Sequence, residues 1–421
     1  MLLMLIIFIQ VGYTYWLSVA VLSASILLIR LRHQLIAGFK SQPWVPFIFL
    51  LMFLPLIFER SVDFDHDFLR SGREALFGIL MLLIVIGSRV RPLAVNMSKI
   101  AVSLGVVAAF LLTLVIIQIG ALKSGVYFGL PEEAYAFGDD TIPGALDLIY
   151  SDIRPAATFS EPSYLAFICT SILLILLSFF DSTRRMLSSI VIVISVGILS
   201  RAASFVVFGG GLSGIFVTRI VKGRNKLLIL GFLALGAVAT ILIQATLLDG
   251  RLNVVDRVLR GGSSTGDASV FDRFFGPMYL MPEYLPTYPL GLPSSLVQRA
   301  ISAGAAQIGT NGPALLMNGF FNLLFQYGFS GFIIALAFLV RRDIIVSIYL
   351  MSCMMFNGAF FAVDKFVVIS MTITIYHAII SRKGGVFRSA TRRTEVEMAF
   401  PKARLLNGEM AGARLRSEKG S

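Results

Sequence analysis

The chain of 421 residues is too apolar for two or three soluble domains, because 57% of its residues are hydrophobic and only 14% are charged. Globular domains carry about 25% charged residues. These proportions exclude a water-soluble protein. We therefore interpret the net charge of +12 as a signal of membrane orientation, not of binding to nucleic acid.

Apolar stretches of membrane-spanning length recur along the chain and predict about eleven transmembrane helices, within a range of about 10–12. In chain order they are 11–29, 44–58, 75–88, 100–121, 164–180, 187–199, 204–218, 227–248, 314–340, 344–361 and 366–380. The predicted fold class is therefore an all-α polytopic integral membrane protein.

Charge orients this stack of helices. Alternate connections sum to +18 and the others to −6. Because Lys and Arg collect on the cytoplasmic side, the C-terminus is predicted to be cytoplasmic and the two large loops, 122–163 and 249–313, to face outward. We divide the chain into a transmembrane domain, 1–380, and a basic tail, 381–421. The tail is interpreted as a solvated topology signal, with contact to anionic lipids as the alternative.

Several kinds of chemistry have no sequence signal. The phosphate-binding pattern GxxxxGK[ST] is absent, so ATP-driven transport by this chain alone is not predicted. Cys169 and Cys353 lie in apolar runs, which disfavours both a disulfide framework and a zinc cluster. Three dispersed histidines, of which His66 lies in an acidic loop, give no metal-ligand spacing. No metal and no cofactor is predicted.

The most informative stretch is 154–163, where the first large outer loop returns to the membrane. Pro162 suits the first turn of a helix, and Glu161 then lies near the positive end of that helix. Glu161 is either a favourable acid at a helix start or a base held at the lipid–water boundary beside Arg154.

Further arginines are predicted on the outer side. Arg201 joins two short spans, so it either reaches the headgroups or meets an anion in a cavity. Arg260 and Arg273 lie in loop 249–313, and guanidinium groups grip phosphate oxygens well. Five acids share that loop, so ordinary ion pairs are the alternative. Aromatic residues at 274–289 suit sugar rings, or the loop packs on itself.

Two polar features lie within the late spans. Asn318, Asn322 and Gln326 are spaced i, i+4, i+8, which predicts one polar stripe on a helix. The stripe either lines a polar cavity or joins helices. Asp364 and Lys365 are interpreted as a structural, outward-facing turn between the last two spans.

Three segments resemble one family. RPAATFSEPSYLAF (154–167) resembles the Arg…Phe-x-Glu-Pro-Ser pattern of Wzy-type polysaccharide polymerases. SRAASFVVFGGGLSGIF (200–216) and NGFFNLLFQYGFSGFII (318–334) resemble spans of the wider O-antigen polymerase and ligase superfamily. The first motif is the most specific of the three.

The resemblance implies a GT-C-like membrane glycosyltransferase that uses polyprenyl-diphosphate-linked oligosaccharides on the outer face of the bacterial cytoplasmic membrane. Neither a nucleotide sugar nor a metal is then needed, and chain-length regulators or export proteins would be partners besides the lipid. In this reading Glu161 is the base. Arg154, Arg201 and one or more of Arg260 and Arg273 bind the diphosphate.

Two other functions remain open from the residues. An O-antigen ligase typically uses a His in the large outer loop, and 249–313 contains none. A lipid-linked-sugar flippase needs an alternating cavity and few large outer loops. The Glu-Pro-Ser motif and the two large loops favour the polymerase.

Overall fold

The computed structural model describes residues 2–13, 17–58, 64–124, 155–179, 186–200, 204–220, 271–307, 315–356 and 358–382, with a few single positions between them. Most of these residues are helical, and no strand occurs among them. The helices are α1 (Leu2–Leu5), α2 (Val19–Arg30), α3 (Arg32–Ser41), α4 (Val45–Phe49), α5 (Leu54–Phe58), α6 (Phe64–Val90), α7 (Met97–Lys123), α8 (Pro162–Phe179), α9 (Met186–Leu199), α10 (Gly210–Ile220), α11 (Gly276–Thr287), α12 (Ser294–Gln307), α13 (Gly319–Leu339), α14 (Ile344–Met355) and α15 (Val363–Arg382). Tighter 3₁₀ turns lie at Ile6–Phe8 and Leu50–Phe53, and wider π turns at Phe205–Gly209 and Phe271–Phe275.

The all-α class and the membrane character are confirmed. Four described helices, α7, α8, α13 and α15, are long and apolar enough to cross a bilayer, and the bent pair α2–α3 makes a fifth candidate. Each predicted span that falls within the described residues overlaps a helix, whereas 227–248 lies outside them. The count of about eleven therefore stays a prediction.

Helices α8 and α15 form the centre of the bundle, and both are buried along nearly their whole length, whereas α7 is largely exposed. α3 packs tightly on α6 through two glycines. A Cβ at Gly38 would lie 2.1 Å from the Leu83 carbonyl oxygen, and one at Gly87 would lie 1.8 Å from that of Gln34. Such small residues let helix backbones approach closely in lipid.

Two predicted loops contain helix. α6 begins at Phe64, well before the predicted span at 75, and its first turn carries Asp65 and Asp67. Acids there favour a helix N-terminus. Within loop 249–313, α11 and α12 occupy much of the described part.

Candidate active site

The Glu161 loop, which we define as residues 155–161, leads directly into α8. As predicted, Pro162 is the first residue of that helix. The Glu161 carbonyl accepts hydrogen bonds from the N–H groups of Tyr164 and Leu165, at 3.1 and 3.3 Å. The Ser163 hydroxyl donates to its carboxylate at 2.7 Å. The carboxylate is therefore oriented at the positive end of a buried helix while remaining partly exposed.

A single amide from α7 holds the middle of this loop. The Oε1 atom of Gln118 accepts hydrogen bonds from the N–H groups of Ala156 (3.1 Å) and Ala157 (2.8 Å). Its Nε2 atom donates to the Ala157 carbonyl at 2.7 Å. Gln118 is buried, and its amide supplies hydrogen-bond partners for backbone groups of the loop that have none within a helix or strand.

The N-terminal segment holds the other half of the loop. The Oε1 atom of Gln10 accepts from both the N–H (3.0 Å) and the hydroxyl (3.1 Å) of Ser160. The Thr158 hydroxyl donates to the Ile7 carbonyl. Distant parts of the chain thus fix the loop on both sides.

Ala157 has a positive φ of 56°, which no other described residue except glycine adopts. An alanine in the left-handed region costs about 1–2 kcal/mol. Such strain persists where the surroundings determine the conformation, and it concentrates at functional sites. Here the Gln118 amide supplies that constraint by hydrogen bonding to Ala157, which lies four residues before Glu161.

A chain of aromatic rings connects the Glu161 loop to the second large loop, 249–313. Successive ring centroids lie 5.4, 5.4, 5.9, 5.6 and 6.1 Å apart along Phe159, Tyr164, Phe167, Phe356, Phe208 and Phe274. These separations are typical of aromatic pairs. Arg273 directly precedes Phe274, so its backbone belongs to the same end of the bundle as Glu161, although its side chain lies outside the described residues.

The other predicted arginines, Arg154, Arg201 and Arg260, lie outside the described residues. The residues on either side of Arg201, Ser200 and Ala202, are buried. The Ser200 hydroxyl donates to the Gly197 carbonyl at 2.7 Å. The junction between the two short spans is therefore packed against protein on both sides of Arg201.

Of the three amides predicted to form one polar stripe, Asn318 and Asn322 lie at the start of α13. Asn318 is the N-cap of α13, and its Oδ1 atom accepts from the N–H groups of Phe320 (2.9 Å) and Phe321 (3.3 Å). Asn322 donates from Nδ2 to the Leu316 carbonyl at 3.0 Å. Both amides stabilise the helix start, and Gln326 lies buried two turns further on.

Asp364 and Lys365 do not form an exposed turn, contrary to the sequence interpretation. They lie in the first turn of α15 and are buried. The Lys365 ammonium donates to the carbonyls of Phe356 (3.1 Å) and Gly358 (2.8 Å). The Tyr164 hydroxyl interacts electrostatically with Asp364. A buried ammonium is stabilised by such acceptors, and this pair belongs to the site that the aromatic chain defines.

Helix α13 is broken at Gly328, where φ is 54°. The N–H of Phe329 donates to the Pro289 carbonyl (3.0 Å) instead of continuing the helix. The carbonyl of Phe325 accepts from the Tyr284 hydroxyl (2.7 Å) and from the N–H of Leu292 (3.4 Å). The second large loop thus inserts into the break and supplies hydrogen bonds that the helix has lost.

The aromatic stretch 274–289 divides into two roles. Tyr284 packs on Tyr288 and on Phe325, with ring centroids 5.1 and 4.9 Å apart, so this part of the loop packs on the protein. Tyr279 is 57% exposed and keeps a ring face available.

Carboxylates of α6 fasten this second loop from the other side. Asp67 accepts hydrogen bonds from the Ser294 hydroxyl (2.7 Å) and from the N–H (3.1 Å) and hydroxyl of Ser295. It therefore caps α12 from a different helix. Burial raises the pKa of Asp67, but the hydrogen bonds from Ser295 and Ser294 outweigh burial and hold the pKa below its usual value.

A second carboxylate of α6 reaches the broken helix. Glu74 is buried and accepts from Arg70 Nε at 3.2 Å and from the Tyr327 hydroxyl at 3.0 Å. Tyr327 directly precedes the break. Sequence reasoning missed both carboxylates, because their partners lie more than 200 residues away along the chain.

A family model matches residues 1–378, which is most of the chain. The chain belongs to the WcaD colanic acid polymerase family. This is a Wzy-type polymerase family, so the resemblance inferred from the Glu-Pro-Ser motif is confirmed. No curated protein and no solved structure matches the chain.

As a member of this family, the chain is an integral membrane polymerase of lipid-linked sugars, which is a glycosyltransferase activity. Chemically, the site offers a carboxylate at a helix N-terminus that can accept a proton. It also offers aromatic faces and a loop fixed by buried amides. Among the described residues no group of three His, Cys, Asp or Glu could hold a metal ion.

Proposed function

We propose that this chain polymerises lipid-linked oligosaccharide repeats on the outer face of the cytoplasmic membrane. The growing glycan leaves its polyprenyl diphosphate and joins a hydroxyl of the next lipid-linked repeat. The name of the family points to colanic acid as the product class. The observation that carries the proposal is the Glu161 loop, a strained loop held by Gln118 and Gln10 that presents one carboxylate at the start of α8.

In the proposed reaction Glu161 is the general base. The acceptor hydroxyl oxygen attacks the anomeric carbon of the donor glycan, and its proton passes to the Glu161 carboxylate. The bond from the anomeric carbon to the diphosphate oxygen breaks, and its electron pair leaves with the lipid diphosphate. Proton transfer of this kind contributes about 10²–10⁴-fold to a rate.

The departing diphosphate needs positive charge. We assign this role to Arg154, Arg201, Arg260 and Arg273, because guanidinium groups bind phosphate oxygens in a two-pronged geometry. The position of Phe274 in the aromatic chain supports Arg273 most directly. No nucleotide and no metal takes part in this scheme. The topology we propose with it has about eleven spans, a GT-C-like arrangement and a cytoplasmic C-terminus.

The test is Glu161→Gln in cells that lack the native gene, compared with Glu283→Gln. Glu283 is an exposed carboxylate on α11 in the other outer loop, so it controls for loss of one outer-loop charge. We expect Glu161→Gln to accumulate single repeats on lipid while Glu283→Gln makes full-length polymer. Full-length polymer from Glu161→Gln at normal membrane levels would show that Glu161 is not the base.

Deletion of the gene separates the three functions. Loss of a polymerase leaves single repeats on lipid, loss of a ligase leaves long chains on polyprenyl diphosphate, and loss of a flippase traps single repeats on the inner leaflet. We expect the first result.

A further inference from the structure

A second site lies at the other end of the bundle. A cavity of about 450 Å³ opens between the ends of α3, α6, α13 and α15 and the start of α14. We call it the arginine pocket. Its lining includes Arg89, Arg341, Arg342, Asp343 and His377. The pocket lies beyond the C-terminal end of α13, the end opposite Asn318.

Positive charge in this pocket is not neutralised by ion pairs among the described residues. Arg89, Arg341 and Arg342 form no ion pair with any described residue. Arg341 is partly buried, and this burial lowers its pKa to about 10. Its Nε atom donates to the Phe338 carbonyl at 3.0 Å, which leaves the other guanidinium N–H groups for a further acceptor.

Asp343 is the one carboxylate among the described lining residues, and it is already engaged. Asp343 caps α14, with Oδ1 accepting from the N–H of Ile345 at 3.0 Å. Its Oδ2 atom accepts from the Tyr376 hydroxyl at 3.0 Å. The described part of the lining therefore holds three cations and one committed anion, and an incoming anion would meet a net positive surface there.

His377 provides an independent sign of a missing ligand. It is only 7% exposed, and its Nδ1 atom lies 2.8 Å from the Ser88 hydroxyl. The other ring nitrogen, Nε2, is buried without a hydrogen-bond partner among the described residues. Buried polar atoms are rarely left unpaired, and a neutral imidazole whose Nδ1 accepts from the Ser88 hydroxyl would offer its Nε2–H to an oxyanion in the pocket.

The rim of the pocket indicates where the anion comes from. Val90 and Val340 line the cavity and are 59% and 75% exposed. Apolar side chains beside a cationic pocket at the ends of membrane helices match a phospholipid, with the phosphate inside and the glycerol and acyl chains along the rim. We propose that the arginine pocket binds the phosphate headgroup of an anionic phospholipid.

The experiment measures the thermal unfolding midpoint of the purified full-length protein in detergent. Phosphatidylglycerol, phosphatidylcholine or inorganic phosphate is titrated in turn. We expect phosphatidylglycerol to raise the midpoint by a few degrees at saturation, and phosphatidylcholine and inorganic phosphate to leave it unchanged. The comparison of the two lipids uses the wild-type protein only, so it does not depend on the folding of a variant.

Variants then locate the binding. The double variant Arg341→Gln with Arg342→Gln should need at least tenfold more phosphatidylglycerol to reach half of the midpoint shift. Arg342→Gln alone should raise this concentration by a smaller factor, because the Arg342 side chain is exposed. Arg30→Gln with Arg32→Gln removes the same charge from exposed positions outside the pocket and should preserve the response.

Three results would overturn the proposal. Equal shifts from both lipids would mean that the headgroup charge is not recognised. The same shift from inorganic phosphate alone would assign the pocket to a free anion. Equal weakening by the Arg30 and Arg32 variant would mean that lipid responds to overall charge and not to this pocket.

Discussion

Gln118→Leu tests whether the held loop matters for catalysis. Leucine keeps the approximate volume but removes the partners of two N–H groups and one carbonyl in the Glu161 loop. Each buried polar group left unpaired costs about 1–3 kcal/mol. Entry of water recovers part of this cost, so we take about 3 kcal/mol as the net effect. At about 1.4 kcal/mol per factor of ten, the held conformation becomes roughly 100-fold less favoured.

The assay is the rate at which purified protein extends lipid-linked repeats, normalised to folded protein. We expect Gln118→Leu to lose about two orders of magnitude in rate. Gln34→Leu makes the same change in another buried glutamine, whose Nε2 atom donates to the Arg91 carbonyl (3.2 Å) at the far end of the bundle. A wild-type rate from Gln118→Leu, or an equal loss of rate in both variants, would refute a role of the held loop in catalysis.

Three further predictions concern the backbone and the second loop. Ala157→Gly should retain full activity because glycine adopts a positive φ freely, whereas Ala157→Val should lower the free energy of unfolding by about 1–2 kcal/mol, measured by denaturant titration. Asp67 has a depressed pKa in the folded protein, so its contribution to stability is present above the unfolded pKa of about 3.9 and is lost as the pH falls through the folded pKa. Asp67→Asn should therefore lack this part of the acid-dependent loss of stability, which thermal unfolding between pH 3 and 7 measures. Gly328→Ala places a Cβ 2.2 Å from the Pro289 carbonyl oxygen and should lower the unfolding midpoint, whereas Gly120→Ala, which has open space, should not.

The helix start at Pro162 was predictable because proline and an adjacent acid leave a local signature in the sequence. The family was predictable from the same short motif. Apolar runs likewise predicted helices wherever the described residues test them. These features depend on residues that are neighbours along the chain.

The supports of the site were not predictable in this way. Gln10 and Gln118 are single amides in apolar surroundings, and they meet the Glu161 loop across 150 and about 39 residues of chain. No local pattern distinguishes them from other polar residues in a span. The Asp364–Lys365 pair was misread because two adjacent charges usually indicate an exposed turn, whereas here backbone carbonyls stabilise the buried ammonium.

The break in α13 was hidden for a related reason. Gly328 lies within an apolar run that reads as one continuous helix, and the break depends on Pro289 and Leu292 of a distant loop. A sequence can show that glycine permits a positive φ, but the partner that replaces the lost hydrogen bonds becomes visible only in three dimensions.

The central claim is that this chain alone joins lipid-linked repeats, with Glu161 as the base. The most direct measurement uses purified full-length protein in vesicles that contain a polyprenyl-diphosphate-linked repeat, with EDTA present and no nucleotide. We predict polymers of several repeats from the wild type and a rate about 10²–10⁴-fold lower from Glu161→Gln. Equal rates from the two proteins would contradict the account.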